Sequence, residues 1–324
     1  MSKITQSAQN PFRYSDTNKR YHTYDYYLRH TFGGKVAKLT LDGGFTCPNI
    51  DGTCGTGGCI YCSSHGSGDF TASSALSLAE QYRVQREKMS LKWQVEKCIP
   101  YFQAHTNTYA PLSRLTALFE EALTLPDAVG LNIATRADCL PDDVLDYLAV
   151  LSERTVLTIE LGLQTVHDDT AALINRGHDF ATFLHTYSRI RTRAPRARIG
   201  VHLIFGLPGE DDERMLDTVR RVAALRPDEV KLHLLYVVEG TVLADLFLRG
   251  EYKALERERY IALVADAIEL LPPETVLGRL TGDGAPDTLL APLWSRKKLT
   301  VLNDIDKLLV ARNTWQGKHS RLES

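Results

Sequence analysis

Four of the chain's six cysteines fall within sixteen residues, Cys47 to Cys62, in the stretch LDGGFTCPNIDGTCGTGGCIYC. So many thiols on a glycine-rich loop constrain the fold around them more than any other feature does. Cys59 and Cys62 form a C-x2-C pair able to present two thiolates to one centre; Cys47 lies twelve residues upstream and Cys54 midway. Two metal readings compete. Zinc would take all four sulfurs in a closed tetrahedron, whereas a cluster held by three cysteines leaves one iron open to a further ligand. A third reading, reduced surface cysteines without metal, is disfavoured by the specificity of the pattern.

The compartment bears on that choice. The N-terminal MSKITQSAQNPFRYSD has no apolar core of the kind a signal peptide carries, and no apolar run reaches membrane-spanning length. The expectation is a cytoplasmic protein with no membrane partner, where thiols stay reduced and serve metals or chemistry rather than disulfides. With 324 residues, 44% hydrophobic and 24% charged, the chain has the composition of a soluble globular protein. Its formal charge of -2 gives no global attraction to nucleic acid, so any such binding must be local.

Short apolar runs alternate with helical patterns, which predicts repeated βα units and a mainly parallel sheet. Strands are expected near Val36–Leu41, Cys98–Gln103, Gly130–Ala134, Leu157–Leu161, Arg198–Phe205 and Glu229–Leu235. PDDVLDYLAVLSERT and DDERMLDTVRRVAALRP read as crossover helices with acidic first turns. Polar or glycine-containing segments follow most strand ends, where parallel α/β folds place their chemistry. Three regions are read: an aromatic and basic segment over 1–35, the βα units over 36–240, and an extension over 241–324 that ends in a partly ordered tail, RNTWQGKHSRLES.

The first strand running into a loop that ends CIYC resembles the radical S-adenosylmethionine (SAM) superfamily. LDGGFTCPNIDGT followed by GTGGCIYC is most similar to a group near the catalytic subunit of elongator and the oxygen-independent coproporphyrinogen oxidases. The resemblance spans roughly residues 15–317 and departs from the common C-x3-C-x2-C spacing, because eleven residues separate Cys47 from Cys59. It implies a partial (β/α)6 TIM barrel with a C-terminal helical or α+β extension. It also implies a [4Fe–4S] cluster on Cys47, Cys59 and Cys62 with no ligand role for Cys54. The open iron would bind SAM, and reduction would cleave SAM to methionine and a 5′-deoxyadenosyl radical that abstracts hydrogen. Such an enzyme draws electrons from a flavodoxin- or ferredoxin-type donor.

The same resemblance assigns cofactor contacts. Tyr61, before the last cysteine, meets the adenine through its backbone. Gln164 of IELGLQT and Arg176 of INRGHD match residues that contact SAM, Arg176 being suited to a carboxylate. Gly206, Pro208 and Gly209 of VHLIFGLPGE form a turn against the adenine, and His202 stands where relatives carry an acidic residue, which puts a ribose contact in question. No GGE follows the second strand; Thr106, Asn107 and Thr108 of QAHTNTYAP occupy that place as candidates for the methionyl end. Glu160 is a carboxylate inside an apolar strand, either a SAM ligand or half of an internal ion pair. Cys98 reads as a small core residue, and Cys139 as a second redox candidate near the strand ends.

For a substrate, the segment PFRYSDTNKRYHTYDYYLRHTFGGKVAK mixes basic residues with tyrosines, as RNA-loop readers do, and Arg296, Lys297 and Lys298 form a second basic group. The competing reading is an amphipathic helix whose tyrosines cover the barrel. Elongator-type relatives act on wobble uridines, so the resemblance favours tRNA, with a small metabolite as alternative substrate. A zinc-stabilised nucleic-acid-binding module is the alternative class.

Overall fold

The βα alternation folds as the sequence leads one to expect, with one strand more in the main sheet and a separate two-stranded ribbon. The computed structural model describes residues 12–63, 66, 71–282, 284 and 286–320. In chain order its elements are α1 (Tyr24–Phe32), β1 (Val36–Leu41), α2 (Leu78–Ser90), β2 (Lys97–Phe102), α3 (Leu112–Leu123), β3 (Gly130–Thr135), α4 (Asp142–Arg154) and β4 (Val156–Gln164). These are followed by α5 (Asp168–Leu173), α6 (Phe180–Arg193), β5 (Arg198–Phe205), α7 (Asp212–Ala224), β6 (Glu229–Leu234) and β7 (Val237–Val238). The extension supplies α8 (Val242–Leu248), α9 (Arg257–Leu270), β8 (Val276–Arg279), β9 (Leu289–Ala291) and α10 (Lys298–Ala311). Seven strands form one parallel sheet in the order β1-β2-β3-β4-β5-β6-β8, and β7 pairs antiparallel with β9.

Alternation within the strands sorts the chain into two layers. In β1, Ala37, Leu39 and Leu41 are buried on the outer face, and Lys38 and Thr40 are half-buried on the inner one. The outer residues join Leu131, Ile133, Leu157, Ile159, Ile199 and Val201 in a continuous core beneath the helices. The helices begin where sequence allows: Ser77 and Glu80 form a reciprocal capping box on α2, and Asp179 and Asp211 cap α6 and α7. The inner face is polar, an unusual choice that marks it as the working side.

Three strands were not assigned from sequence; of these β8 continues the main sheet beyond β6 and comes from the extension, while β7 and β9 pair with each other. The tyrosine-rich segment also differs from its RNA-reading expectation. Helix α1, capped by Thr23 and ended by Gly33 at φ 73°, packs on β1 and β8 at the N-terminal ends of the strands. Tyr24, Tyr27, Leu28 and Phe32 close on Val36, Ile99 and Val129 there. The Tyr24 ring lies 4.4 Å from Lys38 Nζ, and Arg198 sits 3.9 Å over Tyr27. These rings cover the base of the barrel, the end opposite the cysteines. The basic residues are committed as well: Arg13 pairs with Glu274 at 2.7 Å, Lys19 with Asp306, and Arg29 with Asp16 at 2.7 Å and Asp25 at 2.9 Å.

Residues 312–320 of the tail are likewise structural. Gln316 is fully buried, accepts from His22 N, donates its own N–H to the Arg20 carbonyl, and bonds the Pro272 and Thr275 carbonyls, clasping the two ends of the chain together.

Candidate active site

The cysteine loop leaves the C-terminal end of β1 and turns back on itself. Ile50 N and Asp51 N donate to the Cys47 carbonyl at 2.8 and 3.2 Å, Cys54 N to Pro48 O at 2.9 Å, and Gly58 N to Asn49 O at 2.8 Å. The eleven residues between Cys47 and Cys59 are therefore a closed excursion whose ends meet. Gly52, Gly57 and Gly58 adopt φ of 92°, 78° and 72°, which allows the reversal. Cys59 and Cys62 follow on a turn closed by Cys62 N to Cys59 O at 3.0 Å. Ile60 N reaches the Ile174 carbonyl at 3.1 Å, tying this turn to the end of α5.

Asn49 is fully buried under the loop. Its Nδ2 points at Cys59 Sγ, 3.8 Å away, and also bonds the Asn175 carbonyl, while its Oδ1 has no partner. Arg136, immediately past β3, is the residue sequence reasoning missed. Its Nη1 lies 3.9 Å from Cys47 Sγ and its Nη2 3.5 Å from Cys54 Sγ, and it is held by Asp138 and the Arg176 carbonyl. A lone arginine after a strand carries no sequence signal for such a contact.

The thiols respond to these surroundings. A hydrogen bond from Cys62 pulls Cys59 down to about 5 against its burial, with Arg176 and Arg136 assisting. Cys62, as the donor, is pushed up, and burial adds to that. Burial also raises Cys54 and Cys139. Cys139 is sealed against Asp138, and Cys98 lies in the outer core as expected.

Gln164 and Arg176, twelve residues apart, meet over Gly162. A Cβ there would stand 2.9 Å from Gln164 Nε2 and 3.0 Å from Arg176 Nη2, so glycine makes their approach possible. Gln164 ends β4 at φ 74°, beside an irregularity in the β4–β5 register. Arg176 is 5% exposed, bonds the Gly162 carbonyl, and keeps Nε without a partner. In the loop after β2, Asn107 Nδ2 donates to the Ala134 carbonyl near the end of β3 at 2.8 Å, and Oδ1 is an unpaired buried acceptor. Thr106 N is tied to the Thr46 carbonyl, and the Thr108 hydroxyl to Thr135 and Cys139. Tyr61 packs beside Ile174, Leu207 and Leu243. Gly206, at φ 93°, is covered by the extension: Tyr252 donates to its carbonyl at 2.8 Å, beside a cleft of about 200 Å³ that Leu255 also lines.

Glu160 and His202 sit lower in the barrel. Lys38 at 3.0 Å, Asn132 at 2.9 Å, His202 Nε2 at 2.9 Å and Lys231 all converge on the Glu160 carboxylate. This saturation supports the ion-pair reading of Glu160 over a SAM contact. Burial drives His202 to about 4 and Lys231 to about 8, with Glu160 restraining both. A cleft of about 810 Å³ lies elsewhere, between α6 and the segment Asp138–Pro141, and does not include the cysteine loop.

The sequence profile of the radical SAM superfamily matches residues 50–222, and that of its C-terminal domain residues 227–311. The chain belongs to the radical SAM superfamily. YtqA of Bacillus subtilis is 48% identical over 97% of both chains. A tRNA uridine(34) acetyltransferase of Methanocaldococcus jannaschii is 28% identical over 158 residues, 48% of this chain and 28% of that protein. Among solved structures, the archaeal Elp3 of Methanocaldococcus infernus superposes with a TM-score of 0.63 at 18% identity, covering 87% of this chain and 64% of that one. That similarity establishes the fold.

Radical SAM enzymes use a [4Fe–4S] cluster and SAM. The chain's residues fit both groups: three thiols on a folded loop, unpaired Asn49 Oδ1 and Asn107 Oδ1 as acceptors, and Arg176 Nε as an unpaired donor. Cys59 and Cys62 are in contact, while among the described residues no group of three His, Cys, Asp or Glu side chains is already assembled for a metal ion.

Proposed function

We propose that Cys47, Cys59 and Cys62 hold the cluster, that Gln164, Arg176 and Asn107 hold the amino-acid part of SAM, and that Tyr61 and Gly206 border its adenine. The closed excursion from Pro48 to Gly58 carries this reading, because it makes an eleven-residue spacing act as a short one and sets Cys47 and Cys59 at its two ends. A [4Fe–4S] cluster held there would supply one-electron reductive cleavage of SAM. Arg176 supplies a buried cation for the SAM carboxylate, and the Asn107 Oδ1 acceptor suits its ammonium. Arg136 offsets negative charge on the sulfurs of the loop. The electron donor is of flavodoxin or ferredoxin type.

For substrate, the proposal is a tRNA uridine, supported by the likeness to the tRNA uridine(34) acetyltransferase across half of the chain. One observation favours a small metabolite instead: Tyr24, Tyr27 and several of the basic groups of the N-terminal segment are spent on the barrel base and on ion pairs within the chain. Two measurements test the reading. Anaerobically purified protein should hold about four iron and four sulfide per chain, lost on serine substitution of Cys47, Cys59 or Cys62 and kept in Cys54→Ser. Stoichiometric zinc lost with any of the four would establish the zinc module. Mass spectrometry of tRNA nucleosides from cells with and without the gene should show one altered uridine; identical profiles would turn the assignment to a metabolite.

A further inference from the structure

The cofactor reading leaves one wall of the lumen unused, the wall where β6 meets β8. Charges in the lumen nearly cancel. Lys38 and Lys231 both pair with Glu160, and Glu229, fully buried, lies 3.9 and 4.0 Å from the same two ammonium groups. Two lysines thus face two carboxylates. Among the described residues Arg279 is a further cation with no carboxylate paired to it. The β6–β8 register slips between Val230 and Lys231, so that Leu277 partners Val230 while Arg279 partners Lys231, and the slip sets the arginine beside the lumen. Its charge acts on Tyr101, His202, Lys231 and His233. Among the described residues Arg279 makes no hydrogen bond and no ion pair, and it is only half-buried.

Its neighbours add to the case. His233 Nε2 is a buried ring nitrogen with no partner, and its ring lies 5.1 Å from that of His202. Gly282 keeps space open beside Arg279: a Cβ there would stand 3.0 Å from the Tyr236 hydroxyl and 3.4 Å from Arg279 Nη1. A guanidinium held next to a lysine, with no carboxylate of its own, is an electrostatic cost in the folded protein unless an anion joins it. Guanidinium groups take carboxylate or phosphate oxygens in a two-pronged manner.

We propose that Arg279, with His233 beside it, receives an anionic group of the substrate, a carboxylate or a phosphate, within the barrel lumen. The site is three strands away from β4, which carries Gln164, and is separate from the place assigned to the SAM carboxylate. The proposal rests on the radical SAM reading, in which substrate enters this lumen.

The test uses holoenzyme loaded with cluster and SAM. Equilibrium dialysis with radiolabelled acetate and with inorganic phosphate should reveal one saturable site per chain for at least one of them, and the tighter anion names the class. Crystals soaked with bromoacetate and with selenate should place the bound anion against the Arg279 guanidinium. Arg279→Gln should weaken the anion by about tenfold or more, as expected for a lost charge-assisted hydrogen bond, with SAM affinity unchanged, and Arg279→Lys should fall between. The melting temperature of Arg279→Gln should hold or rise, since a surplus charge has gone; a clear fall would mark Arg279 as part of a structural ion pair and overturn the proposal. So would anion binding that ignores the substitution, absence of any lumen site, or a tenfold loss of SAM affinity, which would assign Arg279 to SAM. Failure of the radical SAM reading would show separately, as wild-type protein lacking iron and forming no 5′-deoxyadenosine.

Discussion

Glu160→Gln removes the charge on which the barrel interior converges while nearly preserving shape. In the native chain Lys38, Asn132, His202 and Lys231 all reach this carboxylate, whose side chain has no exposure. After substitution the nearest anion to either lysine is Glu229, at 3.9 and 4.0 Å. Removing one partner of a buried ion pair costs about 3–5 kcal/mol, a large share of the roughly 5–15 kcal/mol that holds a protein folded. Lys231 adds a pH signature. Burial has already brought it down to about 8, opposed by Glu160 and reinforced by Lys38. Without Glu160 it falls further, so the folded variant sheds this proton at lower pH than the folded wild type does. Where a folded-state lysine pKa is depressed, the unfolded state binds more protons and stability rises with pH through the interval; here that interval is wider in the variant. The deficit is therefore greatest at acidic pH and narrows as pH climbs through 8, where Lys231 becomes neutral in both proteins. Urea denaturation followed by circular dichroism at about pH 6 and about pH 9 reads both effects. A variant as stable as wild type at the lower pH, or a deficit that grows with pH, would refute the reasoning.

Two further outcomes follow from the packing. Tyr24→Ala should cost about 3 kcal/mol by opening a cavity at the barrel base, and Lys19→Ala with Arg20→Ala should leave the salt dependence of any tRNA binding unchanged in filter-binding assays; a flattened salt slope would restore the segment as an RNA surface. His22 and His202 are each held at about 4, chiefly by burial, against an ordinary 6.5. Folded protein thus binds fewer protons than unfolded between these values, so the histidine contribution should be level above 6.5 and drop by about 3 kcal/mol per histidine toward pH 4, and melting temperatures that hold constant from neutral pH to about pH 5 would contradict it.

The six strands predicted from sequence were legible because each is a short apolar, β-branched run bounded by turn residues. The strand VLGR was not, being four residues long and interrupted by a glycine where the register slips. Lys38, Asn132, His202 and Lys231 were individually visible as polar residues within strands, but only the topology gathers them on Glu160. The loop cysteines announced themselves, whereas the role of Arg136 depends on β3 ending beside β1's loop, a relation no spacing encodes. Helix α1 shows the limit from the other side. A basic, tyrosine-rich amphipathic helix has one pattern whether its rings face bases or a barrel floor; only the fold shows Tyr24 and Tyr27 on the floor and Arg13, Lys19 and Arg29 paired with acids.

Among the described residues, Tyr24, Tyr27, Leu28 and Phe32 form a floor at the N-terminal end of the barrel. The opposite end, where the cysteine loop and Gly206 lie, is left as the face for traffic. Traffic through that face imposes an order: whatever sits nearest the floor enters first and leaves last. A reagent that blocks the face therefore traps the occupant instead of expelling it, and turnover is governed by departures in sequence past the same rim.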